Sequence, residues 1–367
     1  MDARVKRNIT KLIGENLDRL ITIDWRGQGL IHPLYRALRE SSEGPLAMGA
    51  AEKFVARIRE KDVVLILTGF PVGPFDVLQN GKFVQEHAFR DEMLAPETDG
   101  VVAAALIARA VDLGFKARPV VLCEEECCPA AKASCAAAGL RVFDDFQTSM
   151  LMPHTVTVVP FTKDGDKAPA EAQRLFEELH PRAAVSIERP GRNEKGHYHM
   201  ANGRSISDFV AKLDELFELV GQAGGLTIGI GDLGNELGMG ALKEATRQTI
   251  FYGRKCQCGC GGGIGTAFPA DATIFGAISE DAAYAFLACL AFLTGHSELL
   301  QSSEMELRVL EACCAGGAVD GPSGMGVPWI DYLDVQNHLH QIELMREIIQ
   351  SPSRFFYLQP FFYGEKP

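Results

Sequence analysis

The sequence predicts an α/β fold: a layered, mostly parallel sheet flanked by helices, with a helical C-terminal part. Three observations predict it. Short β-rich apolar runs alternate with helical stretches, the pattern of parallel crossovers. Val63-Val-Leu-Ile-Leu67 is apolar throughout, as expected of a strand buried on both faces. Beyond about residue 271 the pattern turns mostly helical. No internal repeat or low-complexity linker marks a boundary, so residues 1–367 read as one domain, with its core over about 20–270 and the helical part over about 271–367.

The elements follow in order. Residues 1–20 alternate charged and apolar side chains like an amphipathic helix and lack a signal-peptide core. Ile21-Thr-Ile23 reads as a short strand leading into Asp24-Trp-Arg-Gly-Gln-Gly. After Val63–Leu67 come Thr68-Gly-Phe70 and a long loop to Glu97-Thr-Asp-Gly100, where an Ala-rich helix begins that stops at Gly114. Pro119–Leu122, Thr155–Val159, Ala183–Ile187 and Leu226–Ile230 read as further strands. Pro129–Ala138, Pro169–Leu179 and Ile206–Val220 read as helices, the first ended by Gly139. Helices are expected near 281–295, 303–315 and 335–350.

Composition excludes several functions. Thirty-six basic against 48 acidic side chains give a net charge of −12, and no Lys/Arg-dense block stands out, so no nucleic acid is expected as partner. The richest apolar stretch, Ala282–Thr294, is too short to span a bilayer and reads as a buried helix. No membrane association is expected, and the location is expected to be cytoplasmic. The aromatic tail Phe355-Phe-Tyr…Phe361-Phe-Tyr and the helical C-terminal part suit a homodimer. Ten cysteines in a chain of this length do not suggest a disulfide framework. Cys256-Gln-Cys-Gly-Cys260 could bind a soft metal, but structural zinc more often uses C-x₂₋₄-C pairs with a second pair elsewhere. Reduced thiols in a glycine-rich loop are the expectation there.

Ligands in such sheets bind beyond the carboxyl ends of the strands. Here four apparent strand ends deliver Asp24, Glu97/Asp99, Glu188 and Asp232/Glu236, each beside glycine. Gly229-Ile-Gly-Asp-Leu-Gly234 formally matches a dinucleotide loop, but Asp232 inside it would repel a diphosphate. NAD or FAD is therefore not expected. If a helix begins near Asp232, Asp232 and Glu236 share one face. Several buried carboxylates need a counter-charge, and a hard cation such as Mn²⁺ or Mg²⁺ supplies it. Glu97, Asp99, Asp232 and Glu236 are the candidate ligands, and Asp232, Glu236 and Glu188 the candidate catalytic groups. Arg189 and Arg192, in Glu188-Arg-Pro-Gly-Arg192, suit bidentate capture of a carboxylate. The amides at Gly100 could hold an anion. Asn235, Thr68 and Gly69 complete the candidate substrate-binding set. His197 and His199 alternate like strand residues, with a surface turn as the plainer reading, and Asp320–Pro328 is a loop that could close over a site. At least one residue of Glu124-Glu-Glu126 is expected to be merely solvated.

Thr68-Gly-Phe70, Glu97-Thr-Asp-Gly100, Ile187-Glu-Arg-Pro-Gly191, Ile228-Gly-Ile-Gly-Asp-x-Gly-Asn-Glu-x-Gly-Met-Gly240 and Val319-Asp-Gly321 occur in that order. Together they resemble the D-glutamate cyclase C-terminal-domain-like family, in its free-standing microbial form, over about residues 24–340. The resemblance implies an α/β fold, a divalent metal (Mn²⁺ or Mg²⁺), and conversion of D-glutamate to 5-oxo-D-proline and water. Carried over by position, it implies site residues Glu97, Asp99, Glu188, Arg189, Asp232, Asn235 and Glu236. The sequence departs from a family Ser-Asn-Trp-Gly stretch at Ser279-Glu-Asp-Ala282. Two other classes compete: a Mn/Mg-dependent phosphatase-type hydrolase, and a non-catalytic binding protein for a small acidic metabolite.

Overall fold

The computed structural model describes residues 3–73, 78–79, 82–83 and 94–354. The aromatic tail falls outside them. Seven strands form one sheet: β1 (Val63–Leu67), β2 (Arg118–Cys123), β3 (Arg141–Phe143), β4 (Thr155–Pro160), β5 (Ala183–Ile187), β6 (Leu226–Gly231) and β7 (Ala272–Phe275). Their spatial order is β7-β6-β5-β1-β2-β4-β3, and every neighbouring pair is parallel. The predicted layered parallel sheet is what the chain builds.

Strand alternation divides the core between two faces. Val64 and Ile66 point into one apolar cluster, while Val63, Leu65 and Leu67 point into the other. The first cluster gathers helices α1 (Ala3–Ile21), α3 (Leu46–Arg57), α4 (Val101–Phe115), α5 (Cys128–Ala137) and α10 (Ser279–Thr294). The second gathers α7 (Ala168–Leu179) and α8 (Asp214–Gln222). Helix α10 is buried on all sides from Ser279 to Ala291, as the largely apolar run that begins at Ala282 requires. Phe54 of α3 meets Phe286 of α10 and Phe115 of α4 edge to face, at centroid distances of 5.6 and 5.0 Å. Helices α11 (Ser303–Ala315) and α12 (Val335–Arg354) close the C-terminal side, as expected. Among the described residues no helix is long and apolar enough to cross a membrane.

Several expectations are corrected. Ile21-Thr-Ile23 is not a strand: α1 runs to Ile21, and Thr22 donates to the Asp18 carbonyl at 2.8 Å as the helix ends. Asp24 therefore follows a helix, where its carboxylate accepts from the Gly29 amide at 2.6 Å. Residues 206–213 are irregular, and the helix predicted there begins only at Asp214. β7 lies inside the part read as mostly helical, and α2 (Ile31–Glu40), α3, β3, α6 (Phe146–Met150) and α9 (Lys243–Thr249) carried no expectation.

The chain moves outward from β1 to β2, then crosses back to the other side of β1 at β5 and continues through β6 to β7. The carboxyl ends of β1 and β5 are thus the point where the winding reverses, where such sheets open a crevice. The two loops beyond β5 and β6 pair with each other: Gly191 N donates to Asn235 O at 2.9 Å, and Leu237 N to Arg189 O at 2.7 Å. A close backbone approach helps fix this arrangement. A Cβ on Gly229 would lie 2.7 Å from the Cα of Gly238. We expect Gly229→Ala to destabilise the fold by about 1–3 kcal/mol through overpacking. Urea denaturation checks this, and an unchanged midpoint would show that the loop can yield.

Candidate active site

At the reversal point lies a cleft of about 540 Å³. Glu97, Glu188, Asp232, Asn235, Glu236 and Asp331 line it together with Arg26. Each polar group is delivered by a separate part of the fold. Glu97 precedes Asp99 and the start of α4; Glu188 follows β5; Asp232 to Glu236 follow β6; Arg26 follows α1. Asp331 comes from a hairpin in which Trp329–Ile330 pairs with Leu333–Asp334. Asp331 and Tyr332 form its two-residue turn, both at positive φ (54° and 65°).

Two triads of ligand atoms lie within 4.8 Å of one another: Asp99, Asp232 and Asp331, and Glu188, Asp232 and Glu236. Asp232 belongs to both. Glu188 holds a left-handed backbone (φ 38°), strain of the kind that persists where the surroundings over-determine a residue. Its carboxyl accepts from the Ser279 hydroxyl at the start of α10. Asp99 accepts from the Glu280 amide at 2.8 Å.

The charges are unbalanced. Burial pushes the Glu97, Asp99 and Glu188 carboxyls well above their ordinary range, and their acidic neighbours push further. Burial likewise raises Asp232 to about 8 and Asp331 to about 6, although Arg26 opposes both shifts. Arg26 pairs with Asp232 at 2.7 Å and also with Asp331. Burial disfavours its charge, yet the two aspartates outweigh this and hold it protonated. Among the described residues it is the one cationic side chain lining the cleft.

No helix begins at Asp232. The segment Asp232–Gly238 is a loop, and Asp232 and Glu236 meet because it folds back on itself. Glu236 accepts from the amides of Leu233 at 3.0 Å, Gly234 at 2.8 Å and Asp232 at 3.3 Å. It therefore holds the loop in shape, which limits its capacity as a base. Asp232 caps no helix, and Glu236 is fully buried.

The predicted guanidinium pair is not brought to the cleft. Arg189 is fully buried and donates to the carbonyls of Thr68 and Gly69 and to Glu124, at 3.1, 2.8 and 2.7 Å. Arg192 pairs with Asp214 and Glu215 and lies over the Phe268 ring. Both hold the scaffold. The Gly100 amide is also taken, by Glu280 at 2.8 Å, so it is not open to an anion. Thr68 and Gly69 bind Arg189 through their carbonyls, while the buried Thr68 hydroxyl has no hydrogen-bond partner among the described residues. Asn235 does line the cleft; its amide donates to His199 O at 3.2 Å and its side-chain oxygen is unpartnered among the described residues. Of Glu124-Glu-Glu126, Glu125 is solvated and Glu124 is buried against Arg189.

Arg26, Asp331, Ser279 and Glu280 escaped sequence reasoning. Arg26 stood beside the singled-out Asp24, but nothing local shows which of the two turns inward. Asp331 sits on a turn with no Asn-Gly or Asp-Gly signature. Ser279 and Glu280 marked a departure from the family pattern, a usable signal. The loop from Asp320 does border the site: Gly321 and Pro322 line the cleft, and Asp320 is tied down by the amides of Ser323 and Tyr332 at 3.0 and 2.9 Å.

Behind the cleft a second polar network is fully buried. The Tyr284 hydroxyl lies within hydrogen-bond distance of both Glu280 and Glu306, and Asp281 accepts from His338 Nδ1 at 3.0 Å and Gln341 at 2.7 Å. It anchors the N-terminal end of α10, which carries Ser279 and Glu280 to the site.

D-glutamate cyclase, mitochondrial, from Homo sapiens is 35% identical over 124 residues, which is 32% of this chain. The match spans only 19% of that protein's length. The family described as D-glutamate cyclase-like, C-terminal, matches residues 17–346, and the chain belongs to it.

Proposed function

We propose that the chain is a divalent-metal-dependent lyase that closes D-glutamate to 5-oxo-D-proline with release of water. The observation that carries this reading is the crowd of buried carboxylates around Asp232 in a cleft that, among the described residues, a single cation lines, in a chain of a D-glutamate cyclase-like family. The donor set fits a hard cation: oxygen ligands only, close together, buried, and short of counter-charge. Asp232 with Asp99 and Asp331 would hold it. When bound, such an ion neutralises the γ-carboxylate and makes its carbon electrophilic.

The rest is the work of side chains. Arg26 holds the α-carboxylate and so sets the geometry for ring closure. Asp232 takes a proton from the substrate ammonium, freeing the nitrogen lone pair to attack the γ-carbon. Glu188, whose carboxyl burial pushes well above its ordinary range, is the proton donor to the departing oxygen. The second nitrogen proton leaves once the C–N bond has formed and restores Glu188. Asp232 passes its proton to the same oxygen, the C–O bond breaks, and water departs with both acids reset.

The test is 5-oxoproline formation by the purified chain from D- and L-glutamate, with and without Mn²⁺, beside a panel of phosphate esters. Lactam formation from D-glutamate that needs the cation supports the reading. Phosphate release without lactam would replace it with a hydrolase, and ligand stabilisation without turnover would replace it with a binding protein.

A further inference from the structure

A second cluster lies apart from the carboxylates. Cys256, Cys258 and Cys260 share one loop, and His199 reaches them from a segment 57 residues earlier in the chain (256 minus 199). All four ligand atoms lie within 4.8 Å of one another. Cys256 Sγ is 3.4 Å from Cys258 Sγ and 3.2 Å from Cys260 Sγ. His199 Nε2 is 3.2 Å from Cys258 Sγ and 3.9 Å from Cys260 Sγ.

We propose that His199, Cys256, Cys258 and Cys260 bind one structural zinc ion. Zn–S bonds of about 2.3 Å and a Zn–N bond of about 2.0–2.1 Å in a tetrahedron place the sulfurs about 3.8 Å apart and the nitrogen about 3.5 Å from each sulfur. The observed separations lie within about 0.6 Å of these values. They are far longer than a disulfide's ~2.05 Å, and three sulfurs cannot pair among themselves. Cys₃His is a closed structural donor set, and thiolate with imidazole selects zinc over the hard ions that suit carboxylates.

The surroundings fit a metal-bound thiolate. The Asn193 side chain and the Gly262 amide each donate to Cys260 Sγ at 3.4 Å. Asn193 is itself held, donating to Gly263 O at 2.7 Å and accepting from the amides of Lys195 and His197. Such outer donors orient ligands and moderate thiolate charge. Sequence reasoning did not point to this set because the fourth ligand is a distant histidine and not a second cysteine pair.

The ion's role follows from what it joins. His199 pairs with Ser205 across a short turn, and Met200 and Ala201 of that turn line the carboxylate cleft. The His199 carbonyl also receives the Asn235 amide. Zinc would thus clamp the 256–263 loop to one wall of the cleft and hold that wall in place.

Metal analysis tests this independently of any activity. The intact chain, purified under reducing conditions from zinc-supplemented cells, is expected to carry one zinc per chain. Dialysis against chelator sufficient to strip Mn²⁺ or Mg²⁺ should leave that zinc in place. Cobalt substituted into the wild-type protein should give a thiolate-to-cobalt charge-transfer band and the visible bands of a tetrahedral site. Cys258→Ser should weaken the former and lower zinc retention. The proposal is overturned if the protein is zinc-free and, with its thiols reduced, gives no cobalt–thiolate band. Iron with acid-labile sulfide in its place would overturn it equally.

Discussion

Asp232→Asn is expected to lower lactam formation by about 10²–10⁴-fold, the range for removing a positioned general base, while leaving the chain folded. Asp232 is the one carboxylate common to both close triads and the one that Arg26 holds at 2.7 Å. Asparagine fills the same volume but neither takes a proton nor balances a cation. The fold should not suffer, for a reason of sign. Burial raises the Asp232 carboxyl from 3.8 to about 8. The folded chain then binds more protons than the unfolded one, so without a cation this group costs stability progressively as pH rises from about 4 to about 8. Asparagine lacks that penalty, and Arg26 keeps Asp331 as partner. In chelator at pH 8 the variant should melt no earlier than wild type. Steady-state 5-oxoproline assays and thermal melts check the two halves, and unchanged turnover would remove Asp232 from the mechanism.

His338→Ala is expected to cost about 3–5 kcal/mol of stability at neutral pH, because it leaves the buried Asp281 carboxylate without its cationic partner. Both side chains are fully buried and 3.0 Å apart. Burial disfavours the imidazolium, but Asp281, with Glu306 and Glu280 beyond it, raises His338 from 6.5 to about 9. The pair's contribution is therefore complete below about 6.5 and lost as pH climbs through about 9. Denaturant midpoints of wild type and variant should differ most below pH 6.5 and converge toward pH 9. A gap that stayed constant across that range would mean the loss is one of packing alone. Because Asp281 adjoins Ser279 and Glu280 at the start of α10, activity should fall with stability.

The parallel core was legible because strands buried on both faces read as apolar runs; β1, β2, β4, β5 and β6 all show this. β3 and β7 were missed because three or four residues carry too little pattern. Ile21-Thr-Ile23 misled because a β-branched run looks alike at a helix end and in a strand. The acids of the cleft were visible as carboxylates beside glycine at strand ends. Their counter-charge was not. The place of an arginine in the sequence says nothing of whether it lines the cleft, as Arg26 does, or meets main-chain carbonyls, as Arg189 does. Long-range convergence also hid Asp331 and the partnership of His199 with the three cysteines, since each depends on loops whose paths local sequence does not dictate.

If a divalent cation makes these crowded carboxylates tolerable, titrating Mn²⁺ into chelator-treated protein at pH 8 will raise its thermal stability. Stabilisation should grow as RT ln(1 + [L]/Kd), reaching about 2.7 kcal/mol at a hundredfold excess over Kd. It should shrink at pH 5, where the raised carboxyls are protonated, and be greatly reduced in Asp232→Asn. No stabilisation at pH 8, or an equal shift in the variant, would contradict the account.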